Sequence, residues 1–251
     1  MGTRADDLYA AMLRRAREDA RIVGMYLGGS RGKGATTEHS DYDCDIVVID
    51  DDAAEYRARL GGDAAGIQLG VFGLSELRAH AAFGSASEWD RYNYAHLTAV
   101  VDKLDGEIQR IMDEKATVPD EVARARLPGT LDGYVNQVYR SLKNHRDGRA
   151  LAARLDAAES IPLALGVLFM THRRVRPYNK YLEWELTHWP LGDAPWSSDQ
   201  LLRLVAEVAR GEVGAQRDLY AGVKALALRH GLAAVLESWS PDARALIEGE
   251  G

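Results

Sequence analysis

Apolar and polar positions along the chain recur with two different periods, and the change from one to the other divides it. Leu8, Met12 and Ala16 return every four residues, which predicts an amphipathic helix to about Ala20, with Thr3 and Asp6 placed to cap its start. The next runs are short. Ile22 to Leu27 and Ile46 to Ile49 are apolar throughout, while Gly66 to Phe72 sets Ile67, Leu69 and Val71 against Gln68 and Gly70. Runs of this length and alternation predict strands. Ser75 opens a short helix, Leu97 to Val101 predicts a fourth strand, and Asp105-Gly106 predicts a turn. Beyond about residue 115 the period becomes helical, with Leu131, Val135, Val138 and Leu142 on one face. A further helix is expected from about Arg149, with Leu151, Leu155 and Ala158 as its apolar stripe and a bend at Pro162. Two more are expected near 198–210 and 214–231. The pattern therefore reads as an α+β domain over 1–118, a small mixed sheet with helices, followed by an all-α helical domain over 119–251. The stretch from Ala116 to Pro128, with two prolines and no period, is the expected connection. There are no internal repeats and no low-complexity tract.

Composition narrows the classes without choosing among them. An apolar content of 46% over 251 residues supports a sizeable core. A net charge of −7 opposes nonspecific binding to duplex nucleic acid, whose own charge would repel it. The single cysteine, Cys44, excludes an intrachain disulfide framework and fits a reducing compartment, so a cytoplasmic location is expected. The amino terminus lacks the apolar core of a signal peptide, and Asp6 stands where a myristoylation signal wants Ser or Thr. The longest apolar run, Ile161 to Met170, is too short to span a bilayer and contains Pro162. No membrane partner is expected.

The candidate chemistry lies between the first two strands, in YLGGSRGKGATTEHSDYDCDIVVID. Three familiar readings fail on spacing. A phosphate-binding loop of the Walker type needs Gly at the place of Leu27 and Ser or Thr at that of Gly34. A dinucleotide fingerprint needs a further glycine and a helix after Gly34, and neither is there. An EF-hand fits Asp41, Asp43 and Asp45 but needs Gly where Ile46 stands. A strand entry accounts for the spacing better, because side chains two apart share a face. Carboxylates set side by side repel, and a divalent cation relieves them; Mg²⁺ is satisfied by few carboxylates plus substrate phosphates. Gly28 and Gly29 allow backbone to come close to a phosphate, the Ser30 hydroxyl can donate to it, and Arg31 and Lys33 add positive charge.

This order of apolar strand, Gly-Gly-Ser-Arg, loop, Ser-Asp-Tyr-Asp and second apolar strand resembles the nucleotidyltransferases of the DNA polymerase beta superfamily. The resemblance implies that Gly29 and Ser30 hold a triphosphate and that Asp41 and Asp43 bind the magnesium ions, two of them, that carry it. Asp43 with Asp45 is the alternative register. Such enzymes usually supply a third carboxylate from a neighbouring strand, but the outward position of Gly66 to Phe72 is Gln68, an amide. Asp102, at the end of the fourth strand, is the expected replacement; as an alternative it simply begins the turn.

In the helical half, Asp156, Glu159 and Ser160 are helical neighbours. Asp156 and Glu159 are expected to recognise a cationic acceptor, and Glu159 to take its proton; the alternative for Glu159 is a core ion pair with Arg140 or Arg173. The stretch HRRVRPYNKYLEWELTHWP interleaves Arg173, Arg174, Arg176 and Lys180 with Tyr178, Tyr181, Trp184 and Trp189. Lys143, Lys180 and Arg176 are the expected phosphate contacts, unless the segment only lays basic stems over an aromatic core. The histidines show no zinc spacing. The two-domain order is similar to aminoglycoside and lincosamide nucleotidyltransferases, in which the acceptor sits between domains. The function expected is magnesium-dependent transfer of a nucleoside monophosphate, AMP from ATP, to a hydroxyl of a small and cationic molecule, with further copies of the chain as the other partner. The alternatives are an enzyme that adenylylates a partner protein, such as an antitoxin or regulator, and a catalytically inactive nucleotide-binding module.

Overall fold

The computed structural model describes residues 4–64 and 66–249. It divides into two compact units, Met1–Thr117 and Val118–Gly251.

The first unit is built on a five-stranded mixed sheet. Helix α1 (Arg4–Glu18) leads into β1 (Ile22–Leu27), a one-turn helix α2 (Gly29–Gly32) and β2 (Tyr42–Val48). Helix α3 (Ala53–Leu60), the short strand β3 (Gly62–Ala64), β4 (Ile67–Gly73), helix α4 (Leu74–Ala79), a 3-10 segment Glu88–Tyr94, β5 (Ala99–Asp102) and helix α5 (Glu107–Ala116) follow. The strand order is β3-β4-β2-β1-β5. β2 runs parallel to β4, and the other pairs are antiparallel. Alternation along β2 sorts its side chains: Tyr42, Cys44, Ile46 and Val48 join a core with Ala16, Tyr56 and the apolar stripe of α1. Val47 faces the opposite way, into a second core with Tyr26, Leu77, Tyr94, Ile108 and Met112. Asp43 and Asp45 share that second face with Val47.

The second unit is helical: α6 (Asp120–Arg146), α7 (Ala150–Thr171), α8 (Leu182–His188), α9 (Ser198–Ala209), α10 (Val213–Arg229), α11 (Ala233–Glu237) and α12 (Pro241–Glu248). No helix among the described residues is long and apolar enough to cross a membrane. The chain is thus an α+β unit followed by an all-helical one.

Several sequence expectations need correction. The expected connection to Pro128 is mostly helix, since α6 starts at Asp120 behind Pro119 and carries Pro128 inside it. β3, α8, α11 and α12 had no periodic signal long enough to predict them. The stripe expected to bury α7 faces outward: Leu151 and Leu155 are 73% and 55% exposed. Ala153, Asp156, Ala157 and Ser160 lie inside instead. Small side chains let α7 come close to α6, where the Ser141 hydroxyl donates to the Ala153 carbonyl at 2.8 Å. Close approach selects size over hydrophobicity at those positions. Thr3, half of the expected capping pair, falls outside the described residues.

Candidate active site

The site is formed where β1 leaves the sheet and β2 enters it. After Leu27 the chain turns at once: the Gly28 amide donates to the Asp43 carbonyl at 2.6 Å, and Gly29 takes the left-handed φ of +55°. A Cβ built on Gly29 would lie 1.7 Å from Asp43 Oδ2, so only glycine lets this backbone rest on that carboxylate. The Ser30 carbonyl accepts from the Ala35 amide at 2.8 Å and closes the turn. Arg31 staples the far side. Its Nε donates to the carbonyls of Ser40 and Asp41, each at 3.1 Å, and its guanidinium lies 4.0 Å from the Tyr42 ring centre. The loop and the aspartate strand are thus one assembly, held at both ends.

The three aspartates descend from solvent into the fold. Asp41 is exposed and precedes β2, while Asp43 and Asp45 are half-buried within it. Asp45 is the deepest: a Cβ on Gly70 of the neighbouring strand would lie 1.9 Å from its Oδ1. Burial first, and the Asp43 charge next, push the Asp45 carboxyl up to about 7, although a hydrogen bond from Tyr26 pulls it back. Cys44, on the opposite face, is buried, which pushes its thiol up to about 12 and makes it inert as a nucleophile.

The neighbouring strands explain the missing third carboxylate. Gln68 lies directly beside Asp43 in the parallel β2–β4 pair, so an amide stands where the resemblance implied an acid. The next residue in the row is Asp63 of β3, paired with Gln68. Asp102 does not replace it. It pairs with Gly24, which is level with Val47, four residues or about 13 Å along the sheet from Asp43. Its carboxylate accepts from the amides of Leu104 at 3.0 Å and Gln109 at 3.1 Å, capping the turn and the first turn of α5. The alternative that Asp102 begins the turn is the one the structure supports.

Lys33 is the other departure. It is 6% exposed, and its ammonium donates to the carbonyls of Tyr92 at 3.0 Å, Asn93 at 3.3 Å and Ala95. Three acceptors match its three protons, so this ammonium is part of the scaffold and serves as an anchor of the loop.

In the helical unit the acidic pair separates. Asp156 is buried, accepts from Asn144 Nδ2 at 2.8 Å and lies 3.5 Å from Arg140. The ion pair considered for Glu159 belongs to Asp156 instead. Glu159 is exposed and accepts from Gln137 at 2.9 Å. Lys143 and Lys180 are both exposed, 5.8 Å from the Tyr139 and 4.7 Å from the Tyr181 ring centres. Arg173 pairs with Asp120, and Arg174 pairs with buried Glu185 and donates to the Trp189 carbonyl at 2.7 Å. Arg176 donates to the Asn179 side chain at 2.6 Å, and burial holds its guanidinium below its ordinary range. The basic and aromatic stretch is therefore partly structural, with Arg176 and Lys180 outside its ion pairs.

No protein-family model matches the chain, and no curated protein matches it. Among solved structures, a nucleotidyltransferase-like protein from Exiguobacterium sibiricum 255-15 is similar over 98% of this chain and 76% of that one, with 9% sequence identity and a TM-score of 0.42.

Proposed function

We propose that the chain is a magnesium-dependent nucleotidyltransferase that moves AMP from ATP to a hydroxyl of a small cationic molecule. The observation that supports this reading most is the contact of the Gly29 backbone with the Asp43 carboxylate, which brings the loop proposed for phosphate against the carboxylate proposed for metal. Carboxylate oxygens are the kind of donor magnesium takes. Among the described residues no three His, Cys, Asp or Glu side chains converge to cage an ion. Asp41 and Asp43 at the open strand end suit a cation that keeps waters and substrate phosphates in its remaining positions. Bound there, magnesium would neutralise triphosphate charge and that of the departing pyrophosphate.

The protein's own part is to hold and orient. Gly29 and Ser30 present backbone and hydroxyl to the phosphates, and Arg31 fixes the loop that does so. Lys143 and Lys180 are proposed as further phosphate contacts. The acceptor oxygen forms a bond to the α-phosphorus as the bond to pyrophosphate breaks, and the acceptor gives up its hydroxyl proton. Glu159, exposed and hydrogen-bonded to the Gln137 amide, is the proposed recipient of that proton and a contact for the acceptor's cation. Asp156 serves it indirectly, through the α6–α7 packing. A second reading has its own observation: Gln68 beside Asp43 suits a module that binds magnesium and nucleotide without turnover.

Calorimetric titration with a nonhydrolysable ATP analogue, with and without Mg²⁺, tests the site. Magnesium-dependent binding that disappears in the Asp41→Asn, Asp43→Asn double variant is the expected result. A wild type that binds no nucleotide refutes both readings, and binding without pyrophosphate release for any hydroxylated amine selects the second.

A further inference from the structure

Two sets of buried contacts behind the site are unused by the proposed reaction, and they meet on one short segment. The first is the Lys33 clamp. Lys33 follows α2 directly, and its three carbonyl acceptors, Tyr92, Asn93 and Ala95, lie at the end of the 3-10 segment and just beyond it. The ammonium also lies 4.6 Å from the Tyr92 ring centre. A buried lysine costs several kcal/mol unless satisfied, so its place here is specified by those carbonyls.

The second set is a hydrogen-bonded chain of side chains. Asp45 shares a hydrogen bond with Tyr26 of β1, and Tyr26 is bonded in turn to Tyr94 of the same 3-10 segment. Tyr94 and His80 Nδ1 share a hydrogen bond at 2.7 Å, and His80 Nε2 lies 3.3 Å from an Asp90 oxygen. Asp90 also accepts from Asn93, so the chain that leaves β2 at Asp45 passes through Tyr94 and ends in the same segment, residues 88–95. Burial holds both phenols well above their ordinary range and keeps their hydroxyls protonated. Asp45 is thus tied to β1 by the Tyr26 hydroxyl, on a strand whose next residues, Ile46, Val47 and Val48, are held by apolar packing.

We infer that residues 88–95 are a brace that fixes the phosphate loop, through Lys33, and the aspartate strand, through Tyr94, Tyr26 and Asp45, at one set separation. The inference rests on the proposed nucleotidyltransferase site and adds positioning residues to it. Lys33, Tyr26 and Tyr94 touch neither phosphate nor metal in this account. Each acts through the geometry of Gly29, Ser30 and Asp43, and the two arms act on the same object. A group held indirectly in this way typically changes metal or substrate affinity by about 10–100-fold when its support is cut.

The test uses Tyr94→Phe, which keeps the ring and severs the chain, and Lys33→Met, which keeps the stem and removes the ammonium. Mn²⁺ affinity is read by electron paramagnetic resonance and Mg²⁺-dependent binding of the ATP analogue by calorimetry, for each single variant and the pair. The expected result is a loss of about tenfold or more in each single variant and a double variant weakened less than the product of the two. Amide exchange at Gly29 to Ala35 should quicken in both, including Tyr94→Phe, whose substitution lies far from that loop in sequence. If Lys33→Met does not fold, Tyr94→Phe with Tyr26→Phe carries the same comparison along one arm. Wild-type affinity and loop exchange in folded Tyr94→Phe overturn the brace and leave the site standing. Independent, multiplying effects of the two arms also overturn it. A wild type that binds neither Mn²⁺ nor nucleotide removes the site itself, and the brace with it.

Discussion

Replacing Gly29 by alanine probes the contact on which the site depends, and its cost has two separable parts. The first is backbone strain, since φ is +55° and a left-handed residue with a Cβ costs about 1–2 kcal/mol. The second is steric. The new Cβ would lie 1.7 Å from Asp43 Oδ2, whereas real Cβ atoms essentially never come closer than 3.0 Å, so loop and carboxylate must part by about 1.3 Å. Gly34 supplies the control, because its φ is also left-handed, +71°, and nothing lies within 4 Å of its Cβ position. Gly34→Ala should therefore lose only the backbone part in urea denaturation, about 1 kcal/mol. Gly29→Ala should lose clearly more, or else let the loop move away. Either way binding of magnesium and nucleotide should fall by about 10²-fold, the usual consequence of a displacement near 1 Å at a reacting centre. Equal stability losses in the two variants, with wild-type nucleotide affinity in Gly29→Ala, would refute the claim that this approach organises the site.

Gly70→Ala should destabilise by about 1–3 kcal/mol because its Cβ would meet Asp45 Oδ1 at 1.9 Å, and Asp45→Ala should relieve much of that loss; additive denaturation midpoints would count against the contact. Lys115 is buried and donates to the carbonyls of Arg78 and His80, and burial lowers its ammonium to about 8. The folded state then holds fewer protons than the unfolded one between about pH 8 and pH 10.5. Stability should rise with pH in that window, by on the order of 2–3 kcal/mol, and Lys115→Met should flatten the rise; parallel pH profiles would contradict it. Asp156→Ala should cost about 1.5–3 kcal/mol by stranding Asn144 and Arg140, whereas Glu159→Ala should stay within about 0.5 kcal/mol, as thermal denaturation would show.

The parts of the site that could be read from the sequence are those set by local geometry. Gly29, Ser30, Asp41 and Asp43 belong to one continuous strand–loop–strand segment, and the two-residue period puts Asp43 and Asp45 on one face without help from the rest of the fold. Gln68 was placed by the same alternation, and the parallel register sets it beside Asp43. Asp102 was misplaced because alternation says which face a residue takes and not how far along the sheet it lies; that distance is fixed by pairing with Gly24. The α7 face was misread for a related reason. Leu151, Leu155 and Ala158 and the set Ala153, Ala157 and Ser160 both recur at helical spacing, and only the closeness of α6 decides between them.

Lys33 shows the limit most directly, and it has a consequence for binding. In sequence it is a basic residue beside a Gly-Ser loop, the usual description of a phosphate ligand. Its carbonyl acceptors, Tyr92, Asn93 and Ala95, are far away in the chain, and no periodicity connects them to it. Its donors are thus engaged inside the fold, while Arg31 is held by its Nε on the Ser40 and Asp41 carbonyls. The basic groups of the loop thus serve largely to hold it, with the Lys33 ammonium and Arg31 Nε both donating to carbonyls. Three aspartates stand close by, so the site's own field should repel a bare triphosphate. On the proposed reading, attraction then has to come with the cation that Asp41 and Asp43 would hold. Nucleotide binding should accordingly depend almost wholly on magnesium, and a calorimetric trace for the ATP analogue that survives chelation would show that the loop carries more free charge than Lys33 and Arg31 leave it.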